Sequence, residues 1–265
     1  MSLPQADKKL GQHFLTDKNV IEKICNDDLL DNDAIFEVGP GPGILTEFLS
    51  QKKSPLFLFE KDERFPELLE KFVSNENIFL GDALEVNFEN FANEKEIKNV
   101  WLVSNLPYNV SVPLTINFIK APAIKKMTLM FQKEVALKAL NFNQSKNAMG
   151  SLMALTQNYF NVSLLTKVAP GAFSPPPKIE STVLSFERII DPVISLDEFD
   201  HYENFLRLCF SQKRKQLSKV LSQRFDRNVV NSHLDGLGVS TTIRAEALSL
   251  DQIRTLYRKL NEENS

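Results

Sequence analysis

The feature of this sequence that most restricts its fold is an alternation of two hydrophobic patterns along roughly the first 190 residues. Short runs rich in β-branched and aromatic residues alternate with stretches whose apolar residues have helical spacing. That alternation is typical of a mostly parallel β-sheet covered by helices. We predict strands at Ala34–Val38, Pro55–Glu60, Asn77–Leu80, Val100–Ser104, Lys126–Gln132, Val162–Ala169 and Ser181–Glu187.

The last two of these strands are expected to pair directly with each other. Only Pro170–Lys178 separates them, and this segment has no helical spacing of apolar residues. Parallel neighbours need a long crossover connection, usually a helix, whereas antiparallel neighbours do not. We therefore expect an antiparallel pair at one edge of the sheet, which departs from a strictly alternating dinucleotide-binding fold.

The character of the sequence changes after Asp191-Pro192, where only helical patterns follow. Apolar residues at helical spacing fill Phe199–Phe210, Leu217–Phe225 and Ile253–Leu260. The sequence thus predicts an α/β domain over residues 1–190 and a smaller all-helical domain over residues 191–265.

Charge is distributed unevenly between these two parts. The whole chain has a formal charge of −3, which argues against binding of nucleic acid by bulk charge. Residues 201–265 nevertheless carry a net +4, whereas residues 1–200 carry −7. The C-terminal part includes Lys213, Arg214 and Lys215, here called the basic cluster. Such a cluster is suited to phosphate contacts, although an ordinary solvated helix end has the same composition.

Cysteine content and the N-terminus indicate the compartment. Cys25 and Cys209 are too few and too far apart for a disulfide scaffold or a cysteine metal cluster. The histidines show no metal-ligand spacing, so we predict no metal site. The N-terminal residues lack a signal-peptide pattern, and no apolar run is long enough to cross a membrane. We therefore expect a cytoplasmic protein with no membrane partner.

A glycine-rich turn follows the first predicted strand, in Glu37-Val-Gly39-Pro-Gly41-Pro-Gly43. Such a turn lets the backbone approach a ligand closely and directs the N–H groups of the next helix toward it. Ile44 stands where the third glycine of a Gly-x-Gly-x-x-Gly dinucleotide fingerprint falls, which weighs against NAD.

Carboxylates end the next two predicted strands. Glu60 follows Gly39 by 21 residues, a spacing at which an acidic side chain accepts hydrogen bonds from ribose hydroxyls. Asp82 follows the third strand and is suited to an adenine amino group or, alternatively, to capping a turn. Because the carboxyl ends of parallel strands meet at one edge of a sheet, these residues predict a nucleoside site in that crevice.

The fourth strand is followed by Asn105-Leu106-Pro107-Tyr108, which resembles the [Asn/Asp/Ser]-Pro-Pro-[Tyr/Phe] motif of S-adenosylmethionine-dependent methyltransferases that act on exocyclic amino groups. Further motifs lie in Gly11–Leu15, Phe173–Lys178, Phe210–Lys215 and Arg244–Ser249. With the glycine-rich turn, they make the chain similar to the bacterial small-subunit rRNA adenine dimethyltransferases over nearly its whole length. The resemblance implies a Rossmann-like S-adenosylmethionine-dependent methyltransferase domain with a smaller all-helical C-terminal domain.

The resemblance also implies which residues bind the cofactor. Glu60 falls on the family's ribose position and Asp82 on its adenine position. The predicted cofactor-binding residues are Gln12, His13, Leu15, Gly39, Gly41, Gly43, Glu60, Lys61, Asp82, Ala83 and Asn105. His13 departs from the family, which often has asparagine there, but an imidazole nitrogen can still donate or accept a hydrogen bond.

The residues predicted to act on the target adenine are Asn105, Leu106, Pro107, Tyr108 and Phe173. The Asn105 side chain and the Leu106 carbonyl accept the two N6 hydrogens, and Pro107 fixes the direction of that carbonyl. Tyr108 stacks on the adenine and Phe173 covers its other face, which requires an unpaired or extruded base. The alternative for both rings is a place in the hydrophobic core.

The resulting prediction is an enzyme that places two methyl groups on N6 of each of two adjacent adenines near the 3′ end of small-subunit (16S) rRNA. Its expected partner is that rRNA within a precursor of the small ribosomal subunit, bound by the basic cluster, and we expect a monomer. Two alternatives stay open: an adenine N6-methylase acting on large-subunit rRNA or DNA, and a non-catalytic ribosome-assembly or transcription factor on the same fold. The second alternative is disfavoured because the sequence retains the predicted site residues Glu60, Asp82, Asn105 and Tyr108.

Overall fold

The computed structural model describes residues 4–7, 11–28, 31–140 and 149–262. The chain divides into two compact units. Unit 1 is drawn from residues 1–136 and 161–188, and unit 2 from residues 137–160 and 189–265.

The described part of the chain contains nine β-strands, most of them rich in the β-branched and aromatic residues that strands favour. They are β1 (Phe14–Leu15), β2 (Ala34–Val38), β3 (Leu56–Glu60), β4 (Ile78–Leu80), β5 (Val100–Asn105), β6 (Ile124–Gln132), β7 (Phe160–Val168), β8 (Phe173–Ser174) and β9 (Ser181–Arg188). Seven of them form one sheet in the order β4-β3-β2-β5-β6-β9-β7. The other two, β1 and β8, pair as a separate antiparallel sheet.

The central strands of the large sheet run parallel. β2 pairs with both β3 and β5, β3 also pairs with β4, and β5 also pairs with β6. β9 runs antiparallel to β6. Because parallel strands end at the same edge, the carboxyl ends of β2, β3, β4 and β5 lie side by side.

The helices connect and cover these strands. They are α1 (Lys18–Cys25), α2 (Thr46–Leu49), α3 (Pro66–Leu69), α4 (Phe88–Glu94), α5 (Ser111–Ile119), α6 (Lys133–Ala139), α7 (Ser151–Tyr159), α8 (Phe199–Phe210), α9 (Leu217–Leu221), α10 (Arg227–Gly236) and α11 (Leu250–Glu262). α1 begins after Asp17, whose carboxylate accepts hydrogen bonds from the backbone N–H groups of Asn19 and Val20, as N-cap residues do. Among the described residues, no helix has the length and apolar character needed to cross a membrane.

Aromatic packing fixes the strands that lead to the cavity described below. Phe36 of β2 and Phe59 of β3 pack against Phe88 and Phe91 of α4, with ring centroids 5.0–6.4 Å apart. Burial of one such side chain is worth about 1.5–3 kcal/mol. The ends of β2 and β3 therefore rest on a rigid layer.

Unit 2 is largely helical and contains a segment that the sequence analysis assigns to the first domain. The predicted division at residue 190 differs from the structure in residues 137–160, which group with the C-terminal helices. The reason is α7, which packs against α8 and buries Tyr159. Arg254 of α11 also donates from Nη2 to the backbone carbonyl of Gln157 in α7, at 2.7 Å.

The predicted fold class, an α/β sheet followed by a helical region, is confirmed. All the predicted strands are present, with their ends shifted by at most two residues. The last two of them, β7 and β9, are neighbours at one edge of the sheet, as predicted. The small sheet of β1 and β8 was not predicted.

Candidate active site

A cavity of about 240 Å³ lies in unit 1, where β2, β3, β4 and β5 end. Its walls include the glycine-rich turn, residues 11–15 and the segment that follows β5. The structure brings most of the predicted site residues together around this cavity. Those that line it are Gln12, His13, Leu15, Gly39, Gly41, Glu60, Lys61, Asp82, Ala83, Asn105, Leu106, Pro107 and Tyr108.

Glu60 is the last residue of β3, and the residue is only 5% exposed. Its Oε1 accepts hydrogen bonds from the backbone N–H groups of Lys61 and Asp62, and its Oε2 accepts one from Gly41, each at 2.8 Å. Burial raises the pKa of Glu60, and the three backbone N–H groups oppose that rise. A carboxylate offers about four acceptor positions, so one position remains for a ligand hydroxyl.

Asp82 follows β4 and is held by an ion pair. Lys61 Nζ lies 2.5 Å from Asp82 Oδ2, while Asp82 Oδ1 accepts a hydrogen bond from the backbone N–H of Leu84 at 3.0 Å. The hydrogen bond from Lys61 holds the pKa of Asp82 below its usual value. Asp82 is therefore an anionic acceptor at neutral pH.

Glu37 is a cavity residue that the sequence analysis did not assign to the site. It lies in β2 with 1% exposure, and Thr46 Oγ1 donates to its Oε2 at 2.7 Å. Burial raises the pKa of Glu37 to about 8, the hydroxyl of Thr46 opposes that rise, and the nearby Glu60 carboxylate adds to it. With its pKa at about 8, Glu37 retains its proton at neutral pH and lines the cavity as an uncharged carboxylic acid.

Residues 11–17, here called the N-terminal strap, form another wall of the cavity. Gln12 Nε2 donates to Asp62 Oδ2 at 2.7 Å, and Gln12 Oε1 accepts from Arg64 Nη2 at 3.1 Å. Hydrogen bonding by Arg64 lowers the pKa of Asp62 to about 2. In the same strap, Leu15 of β1 stands opposite Phe173 of β8. The strap is thus held by hydrogen bonds to the turn after β3 and by strand pairing with β8.

The segment after β5 meets the strap through His13. Asn105 Nδ2 donates to the backbone carbonyl of His13 at 3.1 Å. The rings of His13 and Tyr108 are stacked, with centroids 5.6 Å apart and planes 28° apart. His13 Nδ1 lies 2.9 Å from the carbonyl oxygen of Pro175, and it must be the donor because a carbonyl only accepts. His13 therefore contacts both ends of the Asn105–Tyr108 motif.

Comparisons with known proteins identify the family. The family model described as ribosomal RNA adenine dimethylase matches residues 4–262. The chain belongs to this family. Ribosomal RNA small subunit methyltransferase A of Halothermothrix orenii is 32% identical to it, over 97% of this chain and 90% of the relative.

Solved structures support the same fold for this dimethylase-family chain. A dimethyladenosine transferase from Plasmodium falciparum superposes with a TM-score of 0.79 at 23% identity, over 95% of this chain and 98% of the other. The 23S rRNA methyltransferase ErmE superposes with a TM-score of 0.71 at 24% identity, over 94% and 99% respectively.

Gly43 was predicted to bind the cofactor; it is not part of the cavity lining, although its neighbours Pro42 and Ile44 are, and a cofactor contact there stays a prediction. Its φ is +89°, and an added Cβ would stand 2.7 Å from the Phe72 ring and 3.3 Å from Leu69 Cδ2. Glycine is needed there because α3 and the residues after it pack closely on the turn. Gly43 shapes the turn in this dimethylase-family chain, and Gly39 and Gly41 face the cavity.

Phe173 was predicted to cover the target adenine, but it does not line the cavity either. The residue is 4% exposed and belongs to the hydrophobic core of unit 1, with Leu15 and Val183. Pairing of β8 with β1 fixes it there. The Phe173 ring therefore lies in the hydrophobic core, which was the alternative to a contact with the adenine. Of the two aromatic residues, only Tyr108 borders the cavity.

The basic cluster lies in unit 2, in the turn between α8 and α9, and all three side chains are exposed. This location makes it accessible to a polyanion, and its contact with RNA stays a prediction. Within residues 4–7, 11–28, 31–140 and 149–262, no group of three or more His, Cys, Asp or Glu side chains is arranged to hold a metal ion.

Glu37, which lines the cavity, and Asp62, which holds the cavity residue Gln12, were not predicted as site residues although the sequence carries a signal for each. Glu37 is the charged residue inside the apolar run Ala34–Val38, and a buried charge in a strand often marks a functional site. Asp62 stands two positions after Glu60, where the same turn directs both carboxylates toward the backbone.

Proposed function

We propose that this protein is an S-adenosylmethionine-dependent enzyme that dimethylates N6 of two adjacent adenines near the 3′ end of small-subunit rRNA. The observation that supports this best is that one cavity is lined by the nucleoside-type acceptors Glu60 and Asp82 and by Asn105 and Tyr108. Methylation of an amino group requires a cofactor site and a site for the target nitrogen within reach of each other.

The residues present fit S-adenosylmethionine. Gly39 borders the cavity, and no protein atom lies within 4 Å of where its Cβ would stand, so the turn leaves room for a ligand. Glu60 would hold the ribose and Asp82, which is anionic at neutral pH, would accept from the adenine amino group. When bound, S-adenosylmethionine supplies a methyl group that is already activated on a sulfonium.

Asn105 and Leu106 would orient the target nitrogen. The amide nitrogen of Asn105 is engaged with His13, which leaves its Oδ1 as the acceptor for one N6 hydrogen. The Leu106 carbonyl, whose direction Pro107 restricts, would accept the other. Two acceptors favour a pyramidal nitrogen with its lone pair directed at the methyl group. Because an asparagine amide is not a base, the released proton would pass to water.

The choice of substrate rests on the sequence relatives, since the fold does not decide it. ErmE, a 23S rRNA methyltransferase, shares the fold, and so does the Plasmodium dimethyladenosine transferase. The relative from Halothermothrix orenii is a small-subunit methyltransferase, which supports small-subunit rRNA over large-subunit rRNA or DNA. The basic cluster would contact phosphates of this rRNA within a small-subunit precursor, and the protein would act as a monomer.

The test is incubation of the purified protein with labelled S-adenosylmethionine and unmethylated small ribosomal subunits, with large subunits and DNA in parallel. Mass spectrometry should locate dimethyladenosine at two adjacent positions near the 3′ end of the small-subunit rRNA. Label in large-subunit rRNA or DNA would favour the rival methylase. Binding of small subunits without any transfer would favour a non-catalytic assembly factor.

Asn105→Ala provides a matched control for the chemical step. Transfer should fall by orders of magnitude, while RNA binding, which is spread over many phosphates, should change little. A variant that methylates at the wild-type rate would contradict the proposed orientation of N6.

A further inference from the structure

We propose that Ser181 is a positioning residue for methyl transfer, because its hydroxyl fixes the Tyr108 ring against which the target base stacks. The inference rests on the proposed function and deepens it. Tyr108 Oη and Ser181 Oγ lie 2.7 Å apart, within hydrogen-bond distance. Ser181 stands 73 positions further along the chain and outside the motif that contains Tyr108.

Ser181 is held rigidly at its own position. It is fully buried, and as the first residue of β9 it stands opposite Gln132 in the antiparallel pairing with β6. The preceding carbonyl, of Glu180, accepts a hydrogen bond from the backbone N–H of Lys133 at 2.9 Å. The hydroxyl of Ser181 therefore has a fixed position. Tyr108 is only partly buried, so the hydrogen bond restrains the Tyr108 side chain more than it restrains Ser181.

The second restraint on Tyr108 is its stacking on His13. With ring centroids 5.6 Å apart, the imidazole occupies one face of the phenol ring. His13 is itself fixed, since Nδ1 donates to Pro175 and its carbonyl accepts from Asn105. A target base can stack only on the opposite face of Tyr108.

Together, the two contacts determine both the tilt and the in-plane direction of the ring. Stacking restricts the tilt of the ring but fixes its lateral position only loosely, because stacked pairs are stable over a range of about 4.5–7 Å between ring centroids. A hydrogen bond at Oη fixes that position because it is directional. The bond to Ser181 therefore sets the face that positions the base beside Asn105. Burial raises the pKa of Tyr108, so the hydroxyl stays protonated and available at neutral pH.

The test compares Ser181→Ala, Tyr108→Phe and the double variant with the wild-type protein in single-turnover methylation of unmethylated small subunits. Loss of one net hydrogen bond predicts a rate about two- to tenfold lower in each single variant. The double variant should be no slower than either single variant, because both remove the same bond. Affinity for S-adenosylmethionine and KM for the small subunit should stay unchanged.

Ser185→Ala is the matched control on the same strand. Ser185 is also buried, but its Oγ donates to Asp27 at 3.1 Å and it is not part of the cavity lining. This variant should methylate at the wild-type rate, so general weakening of β9 is separated from loss of the Tyr108 contact.

A readout without turnover uses ring-labelled tyrosine, of which the chain has four residues. The Cζ resonance of Tyr108, assigned by its absence in Tyr108→Phe, should shift in Ser181→Ala and remain in place in Ser185→Ala. An unshifted resonance would show that the contact does not exist in solution and would overturn the proposal.

The proposal would also be overturned if Ser181→Ala methylates at the wild-type rate, if the two single losses multiply in the double variant, or if Ser185→Ala loses as much. These outcomes differ from failure of the proposed function, in which the wild-type protein itself transfers no methyl group to adenine. That result would remove the positioning role as well.

Discussion

Replacing Glu37 with glutamine is expected to stabilise the protein at neutral pH and to have little effect below about pH 4. The carboxyl group is almost fully buried, and burial raises its pKa from 4.5 to about 8. Between those two values the folded protein retains a proton that the unfolded chain has lost. The free energy of unfolding of the wild-type protein therefore falls as pH rises through this window. Glutamine keeps the acceptor for Thr46 and has no such dependence.

The size of the effect follows from the two pKa values. Folding must return a proton to Glu37, and linkage shows that this proton uptake lowers the free energy of unfolding by about 1 kcal/mol near pH 5.5 and about 3 kcal/mol near pH 7. The difference in unfolding free energy between Glu37→Gln and the wild-type protein should therefore grow by about 2 kcal/mol across that interval. Urea denaturation followed by circular dichroism at several pH values measures this difference.

Glu47→Gln is the control, because Glu47 is an exposed glutamate nearby in α2. The free energy of unfolding of the Glu47→Gln variant should change with pH in the same way as that of the wild-type protein. Parallel pH profiles for Glu37→Gln and the wild-type protein would refute the reasoning, because they would mean that Glu37 titrates alike in the folded and unfolded chains.

Three further predictions concern the turn, the cofactor and the RNA. Glu60→Ala should weaken S-adenosylmethionine binding about tenfold or more, because a charge-assisted hydrogen bond is lost; unchanged affinity in calorimetry would remove Glu60 from the ribose role. Gly43→Ala should cost about 1–3 kcal/mol in thermal denaturation, because a Cβ there meets Phe72, whereas Gly81→Ala should cost less; equal stabilities would contradict this account of the turn. Replacing the basic cluster with glutamines should flatten the salt dependence of RNA binding and spare cofactor affinity; an unchanged slope would place the RNA contacts elsewhere.

The large sheet was predictable because its strands carry a local signal. Runs such as Ala34–Val38 and Val100–Ser104 are apolar, short and bounded by turn residues, and their pattern does not depend on distant parts of the chain. The cavity was predictable for a related reason. Residues that follow parallel strands meet at one edge, so Glu60, Asp82 and Asn105 had to lie near one another once the strands were parallel.

The sequence is least informative where a residue's environment depends on contacts far away in sequence. β1 and β8 have two residues each, too short for any periodic signal, and their pairing is what buries Phe173. Gly43 has the same chemistry as Gly39, and only the approach of Phe72 distinguishes their roles. The assignment of residues 137–160 to the C-terminal helices likewise depends on the packing of α7 and not on its composition.

The contacts between the N-terminal strap and residues 172–175 affect the order in which the chain can fold. The backbone N–H of Thr16 donates to the carbonyl of Ala172 at 2.7 Å, and His13 contacts Pro175 across 162 positions of sequence. Contacts between residues this far apart close a long loop, and they cannot form until Ala172 and Pro175 have been synthesised. During synthesis, β2 to β5 can assemble while the strap still lacks its partner. We therefore expect a nascent chain that ends before Ala172 to hold the strap only through Gln12 and Asn105, without its contacts to Ala172, β8 and Pro175.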